Sequence, residues 1–411
     1  MKANTSYLVI LTVRFPFSGE TFLKYEIKIL SDYFERIEVL PTSLKKEFSE
    51  SACTEEKASL PKNVVVRSDL ATACNLTAWD FAKVLNEEFV EAFRERSMRK
   101  FVYRCMKAEA VSRMIVNEYL AKGFNPMFYS YWLNANAAAL SIVKKDHPRL
   151  LAIARGHGSD VISPSRRYYQ PLQRMMLEGL DRIYLVSVFG EKYLAEKYPI
   201  ASNKIELSRL GVENPGLINS GSHDKTVRIV SCSAINSVKR IYRIIDSLVC
   251  CNSTRIRWIH FGGGPQEEQM RRFAEKMLNP KKNIEWEIKG NVRNECIHDH
   301  YRSEPVDLFV SLSSSEGIPV SIMEAYSYGI PAIATDVGGV SEIVNGRNGF
   351  LIDSEAHCYE VARIIEGFAE LSVSERNDYR SAAYSEFSDK YDASTNVRRF
   401  AESLNRLQFN G

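Results

Sequence analysis

The chain has 411 residues, 45% of them hydrophobic and 26% charged, with a formal net charge of +3. That length carries two domains of ordinary size, each with a full core, and so small a net charge leaves no global field to draw nucleic acid as a partner. The eight cysteines form no CxxC pair and no zinc spacing, so reduced thiols in a cytoplasmic protein are the simplest account.

In chain order, residues 7–13 form an apolar run too short to span a membrane and followed by no small-residue cleavage site; they read as the first strand. Phe15-Pro16-Phe17-Ser18-Gly19-Glu20 turns the chain into a helix predicted over 21–34, and 37–40 returns as a strand, an α/β opening. Gly19 stands where the backbone can come close to a ligand phosphate, although a plain turn glycine accounts for it equally. Residues 76–122 are helix-rich. Arg94, Arg96, Arg99, Lys100, Arg104, Lys107 and Arg113 interleave there with Phe93, Phe101, Val102 and Met106. The commonest meaning of such an amphipathic pattern is a solvated basic face; the sharper alternative is an anionic membrane surface or an acidic acceptor.

Strands over 127–131 and 150–154 flank a helix over 132–143. The second strand runs into Arg155-Gly156-His157-Gly158-Ser159-Asp160, where two glycines leave the backbone free to bend and put the imidazole on a loop. A lone histidine is usually structural; the position at a strand's carboxyl end argues for a ligand-facing one. After a strand at 182–186, Ser187-Val188-Phe189-Gly190 caps a helix to about 198, and 204–210 is extended. Residues 211–224, with Asn214, Pro215, Gly216 and Gly221, are the most linker-like stretch. The domains are therefore set at 1–210 and 225–390, with 211–224 between them and a last helix in 391–411.

The second domain opens with a strand at 227–231, and Lys239-Arg240 follows at a strand-to-helix loop, well placed to meet phosphate or simply surface charge. After a strand at 256–261, Gly262-Gly263-Gly264-Pro265 is a tight turn and, by itself, a weak phosphate signal. A strand at 284–288 leads to Lys289-Gly290-Asn291-Val292. The apolar run 306–312 is a buried strand, followed by Ser313-Ser314-Ser315 and Glu316. Pro319 fits the first position of a helix that Gly329 and Pro331 close. The amides of Gly317, Ile318 and Val320 at its head form a natural anion site. Glu324 sits inside it among Ile322, Met323, Ala325 and Tyr326, where a carboxylate needs partners, and a ribose diol would satisfy both of its oxygens. A second strand at 332–335 runs into Asp336-Val337-Gly338-Gly339 before a further helix near 341. Helices predicted over 355–371, 374–387 and 393–407 complete the chain.

This succession of strand, serine loop, Glu-Gly-Ile-Pro, helix with a second glutamate and Gly-Gly turn resembles the donor-site block of retaining glycosyltransferases of family 4. That family has the GT-B fold: α/β, two Rossmann-like domains with parallel sheets facing across a cleft. The resemblance implies that Glu316 contacts the transferred sugar and Glu324 the nucleotide ribose. It implies that Lys239 clasps the diphosphate, while the arginine expected five residues earlier is Ala234 here and Arg240 is the remaining basic neighbour. Gly263 lies beside these sites, Gly290, Asn291 and Val292 border the base through main-chain groups, and the last helix crosses back onto the first domain. The Phe-Pro-x-x-Gly-Glu segment resembles the opening of many bacterial polysaccharide glycosyltransferases, which implies a substrate-facing loop at Gly19 and Glu20. Residues 155–160 resemble the Arg-Ala-His-Gly-Tyr-Asp signature of capsule and exopolysaccharide members, implying that His157 lies against the donor sugar, with Arg155 and Asp160 in the same substrate segment. Gly156 replaces the alanine and Ser159 the tyrosine.

No Asp-x-Asp triplet occurs, so neither a metal nor another cofactor is expected. Fixed cationic and dipolar groups would stabilise the departing diphosphate of a UDP- or GDP-sugar. Expected partners are that donor, a glycan or lipid-linked glycan acceptor of a growing cell-surface polysaccharide, and a peripheral contact with the inner face of a bacterial cytoplasmic membrane. Catalysis would rest on His157, Lys239 and Glu316, by same-face attack. The competing readings are a sugar-nucleotide epimerase or glycan phosphorylase on the same fold, and a non-catalytic sugar-nucleotide-binding scaffold, which Ala234 keeps open.

Overall fold

A computed structural model of the chain describes residues 6–16, 22–43, 60–74, 87–162 and 169–410. The chain divides into two compact units, Met1–Arg209 together with Ala393–Gly411, and Leu210–Asp392. Gly19 and Glu20 lie outside the described residues. Among the described residues, no helix is long and apolar enough to cross a membrane.

The first unit is built on seven strands: β1 (Tyr7–Thr12), β2 (Arg36–Pro41), β3 (Val64–Val66), β4 (Met127–Ser130), β5 (Ala152–Gly156), β6 (Arg182–Leu185) and β7 (Ile205–Leu207). They lie in the order β3-β2-β1-β4-β5-β6-β7 with every pairing parallel. A parallel sheet is covered on both faces, which is why β1 reads as an unbroken apolar run rather than an alternating one. Val9 and Leu11 face one core, with Phe101, Ala108, Val111 and Ile115 of the helix Met98–Glu118 and with Leu140. Leu8 and Ile10 face the other, with Leu23, Ile27 and Leu30 of the helix Phe22–Leu30 and with Val397, Phe400 and Leu404 of the last helix, Ala393–Asn410.

The basic segment needs correcting. Arg94, Arg96 and Arg99 are exposed, but Arg104 and Lys107 are buried. Arg104 Nη1 donates to the Pro171 carbonyl at 2.7 Å and Lys107 Nζ to that of Thr42. Their charged heads satisfy loop carbonyls beside the core, so the helix is not a uniformly solvated basic face.

The second unit holds β8 (Thr226–Cys232), β9 (Arg255–Phe261), β10 (Ile284–Ile288), β11 (Leu308–Ser311), β12 (Ala332–Thr335) and β13 (Gly349–Ile352). Their order is β10-β9-β8-β11-β12-β13, again wholly parallel. The strand order reverses between β8 and β11, and ligands in open α/β sheets collect beyond the carboxyl ends of strands at such a reversal. Residues 211–224 are not a free linker. They belong to this unit, where the buried Asn219 donates to the carbonyls of Tyr301 and Glu304 at 2.8 and 2.7 Å and accepts from the amides of Gly221 and Val306. Composition gave the turn residues; the buried amide that anchors them is a tertiary contact. The helix expected near 341 is only a short 3₁₀ turn, Val340–Glu342.

Candidate active site

The loops that follow β8 and β11 are the two that flank the reversal, and they are fastened to each other. Ser314 donates its amide to the Val238 carbonyl at 2.8 Å. Arg240, held in the left-handed region at φ 48°, sends Nε to the Leu312 carbonyl at 2.7 Å and Nη2 to that of Ser313 at 2.9 Å. With those loops fixed, Lys239 Nζ lies 2.5 Å from Glu316 Oε1, although 77 residues separate them. The glutamate side chain is 10% exposed and the lysine 27%. This pair is therefore neither a solvated surface bridge nor a fully buried one.

Glu316 is also held from behind. Gly338 has φ 59°, and a Cβ placed there would sit 1.9 Å from the Glu316 carbonyl oxygen. The next residue, Gly339, donates its amide to the Gly317 carbonyl at 2.8 Å. The Gly-Gly turn after β12 is thus a surface on which the Glu316 loop rests, backbone against backbone. Only a residue without a side chain permits that approach.

The helix Val320–Ser327 follows, with Pro319 as its N-cap residue rather than its first helical one. The Ile322 amide bonds the Pro319 carbonyl at 3.1 Å; the amides before it have no intrahelical acceptor and carry the positive end of the dipole, and Glu316 lies four residues ahead of Val320 in the chain. Four residues on, Glu324 is 5% exposed. Asn294 Nδ2 donates to its Oε1 at 2.8 Å, and His298 Nε2 stands 3.9 Å away, itself held by the Tyr328 hydroxyl at 3.1 Å. Burial pushes the Glu324 carboxyl up to about 7, and the Asn294 bond only partly offsets this. Asn294 and His298 escaped the sequence reading because both lie on a separate helix, Asn294–Ser303; no local pattern marks them.

The glycine run after β9 is used internally. Gly262 has φ 129° and its amide donates to the Gly290 carbonyl at 2.9 Å, while Gly263 donates to Asn291 Oδ1 at 2.9 Å. The Gly263 carbonyl in turn accepts from the Ile235 amide at 2.8 Å. The 262–264 and 290–292 segments therefore brace the loop after β8, with Val292 left 37% exposed. The Gly263 amide is thus spent on the Asn291 side chain, while the main-chain groups of Asn291 are not part of that bond. Arg240 is a second correction: its guanidinium is spent on two carbonyls and on Glu355 at 3.2 Å, so it does not replace the cation missing at Ala234.

In the first unit, the loop after β5 carries His157 as the N-cap of the short helix Gly158–Val161. Asp160, buried, accepts the amides of His157 and Leu133, both at 2.6 Å. Burial raises its carboxyl to about 7 against the pull of those amides. Asp160 thus shapes the turn and is not an open ligand group. The imidazole lies 3.0 Å from the Tyr131 carbonyl through Nε2; a carbonyl only accepts, so Nε2 carries the proton and Nδ1 keeps its lone pair. The ring sits against Trp132, centroids 4.3 Å apart. Burial first, then the Arg155 charge, holds its pKa down at about 3, so the ring is neutral. Arg155 is 1% exposed and paired with Glu26 at 2.7 Å, over the Phe400 ring at 4.3 Å. It ties β5 to two helices and is not available to a substrate. Glu26 had a signal: it shares the apolar face of its helix with Leu23, Ile27 and Leu30.

The fold is α/β with two parallel-sheet Rossmann-like units, the GT-B architecture of glycosyltransferase structures. A glycosyltransferase from Rickettsia africae superimposes with a TM-score of 0.70 at 15% identity, covering 99% of this chain and 100% of that one. The Anabaena protein Alr3699/HepE, in complex with UDP, gives 0.67 at 16%, covering 98% and 100%.

Residues 218–386 match the family model of glycosyl transferases group 1, a segment that holds Lys239, Glu316 and Glu324. The chain is 36% identical over 93 residues to the O-antigen biosynthesis glycosyltransferase WbnH of Escherichia coli. That match spans 23% of this chain and about a quarter (24%) of the relative.

Proposed function

We propose that the chain is a retaining, metal-independent glycosyltransferase of family 4. It moves a hexosyl group from a UDP- or GDP-sugar to a glycan or lipid-linked glycan of a growing cell-surface polysaccharide. The observation that carries this reading is the Lys239–Glu316 contact of 2.5 Å at the head of the helix that buries Glu324. A cation, a row of first-turn amides and two carboxylates of different burial share one strand-order reversal. In the reaction, negative charge grows on the departing diphosphate and positive charge on the sugar ring. Lys239 and the amides at the head of the helix meet the first, Glu316 holds sugar hydroxyls, and Glu324 accepts ribose hydroxyls through the oxygen that Asn294 leaves open. His157, neutral, orients the sugar. The UDP bound to the Anabaena structure favours a uridine donor, and the name of WbnH an O-antigen-type acceptor. The protein would work at the inner face of the cytoplasmic membrane, with Arg94, Arg96 and Arg99 towards its anionic surface.

The test is transfer from radiolabelled UDP-glucose and related UDP- and GDP-sugars to lipid-linked acceptors, with and without EDTA, followed by the anomeric coupling constant of the product. Retained configuration in EDTA supports the reading. Inversion refutes the mechanism, and conversion of the free nucleotide sugar without acceptor points to an epimerase instead.

A further inference from the structure

Cys250 is the C-cap residue of the helix Ile241–Val249, and Cys358 is the first residue of the helix Cys358–Glu370. Their sulfurs lie 3.4 Å apart across 108 residues of chain, and both residues are half-buried, open to a small solute. His357 Nδ1, which accepts the Tyr359 amide at 3.4 Å, stands 3.3 Å from the Cys358 sulfur. The same two chain segments are joined on the side nearer Lys239, where Arg240 pairs with Glu355 and Arg243 bonds the carbonyls of Ser354 and Ala356. The thiols thus meet between elements that are already held together, 3.4 Å apart against about 2.0 Å for a disulfide bond.

We propose that Cys250 and Cys358 form an oxidation site, converted by hydrogen peroxide into a disulfide that staples these two helices. The Cys358 thiolate attacks the O–O bond and becomes a sulfenic acid as hydroxide leaves. The Cys250 sulfur then attacks that sulfur, the S–S bond forms, and the second oxygen leaves as water once it takes up a proton. Two thiols and one peroxide give one disulfide and two waters. The Cys250 thiol donates to the Cys358 sulfur, and burial, then the neighbouring Cys358, push the Cys250 thiol up; that contact gives Cys250 the resolving role and Cys358 the attacking one. The proposal is independent of the glycosyltransferase reading.

The full-length protein is treated with stoichiometric hydrogen peroxide, alkylated with iodoacetamide, digested with trypsin without reductant and examined by mass spectrometry. The expected product joins the peptide containing Cys250 to the one containing Cys358. It survives in Cys251→Ser and is lost in both Cys250→Ser and Cys358→Ser. The oxidised wild type should melt roughly 5–10 °C higher than the reduced one, because closing so long a loop restricts the unfolded chain, and dithiothreitol should reverse the shift. Two results overturn the assignment. One is that Cys250 and Cys358 stay alkylatable after the exposed Cys296 has been oxidised; the other is that the cross-link persists in Cys250→Ser, with Cys251 as its partner.

Discussion

Replacing Glu324 by glutamine separates the cost of burying a charge from its use. The carboxyl is 5% exposed, and burial moves it from its ordinary 4.5 to about 7. At about 1.4 kcal/mol per tenfold change in the acid constant, ionising it in the folded protein costs about 3 kcal/mol more than in the unfolded chain. The native state therefore holds the proton where the unfolded state has lost it. The contribution of this group to stability is fully present below about pH 4.5 and is lost as the pH rises to about 7. Glutamine is neutral throughout and can still accept from Asn294. Glu324→Gln should leave stability unchanged at pH 4.5 and raise it at pH 8.5 by up to about 3 kcal/mol, while UDP binds more weakly because a charged acceptor of ribose hydroxyls is gone. Urea denaturation of both proteins at the two pH values, with isothermal titration of UDP, measures both effects. An equal stability change at the two pH values would refute the argument from burial. Unchanged UDP affinity would refute the ribose role.

Lys239→Ala should cut transfer by about 10²–10³-fold with the fold intact, the usual loss when one charged donor to a developing anion is removed; steady-state kinetics with circular dichroism decides, and wild-type turnover would sink the diphosphate assignment. Gly338→Ala forces a side chain into φ 59° and against the Glu316 carbonyl; it should cost about 1–3 kcal/mol and raise KM for the donor. Gly346→Ala, with nothing within 4 Å of the added carbon, should do neither. Arg155→Met strands the buried Glu26 and should destabilise the first unit by about 3–5 kcal/mol, with most of the loss recovered in Arg155→Met/Glu26→Leu. Full stability with lost activity in the single variant would restore Arg155 to the substrate. Because His157 is held neutral down to about pH 3, the pH profile between 5 and 9 should show no step that disappears in His157→Gln.

The amino-acid order alone settled what is local. Unbroken apolar runs of four to seven residues between glycine-rich turns demand buried parallel strands, and the Pro-first, Gly-last helix after the serine loop put Glu316 outside and Glu324 inside it. These features depend on residues within one turn or one strand of each other, so they can be read without knowing the fold. Partnership is different, because it depends on which strands become neighbours. Lys239 was legible as a cation at a strand-to-helix loop, but its contact with Glu316 exists only because β8 and β11 adjoin where the strand order reverses. Arg240, Arg155 and Asp160 looked like its equals in sequence, yet packing spends them on carbonyls, on Glu26 and on backbone amides. A charged side chain at a loop is either a ligand group or a structural clamp according to what lies within 3 Å of it, and that distance is fixed by the whole sheet rather than by any neighbouring residue.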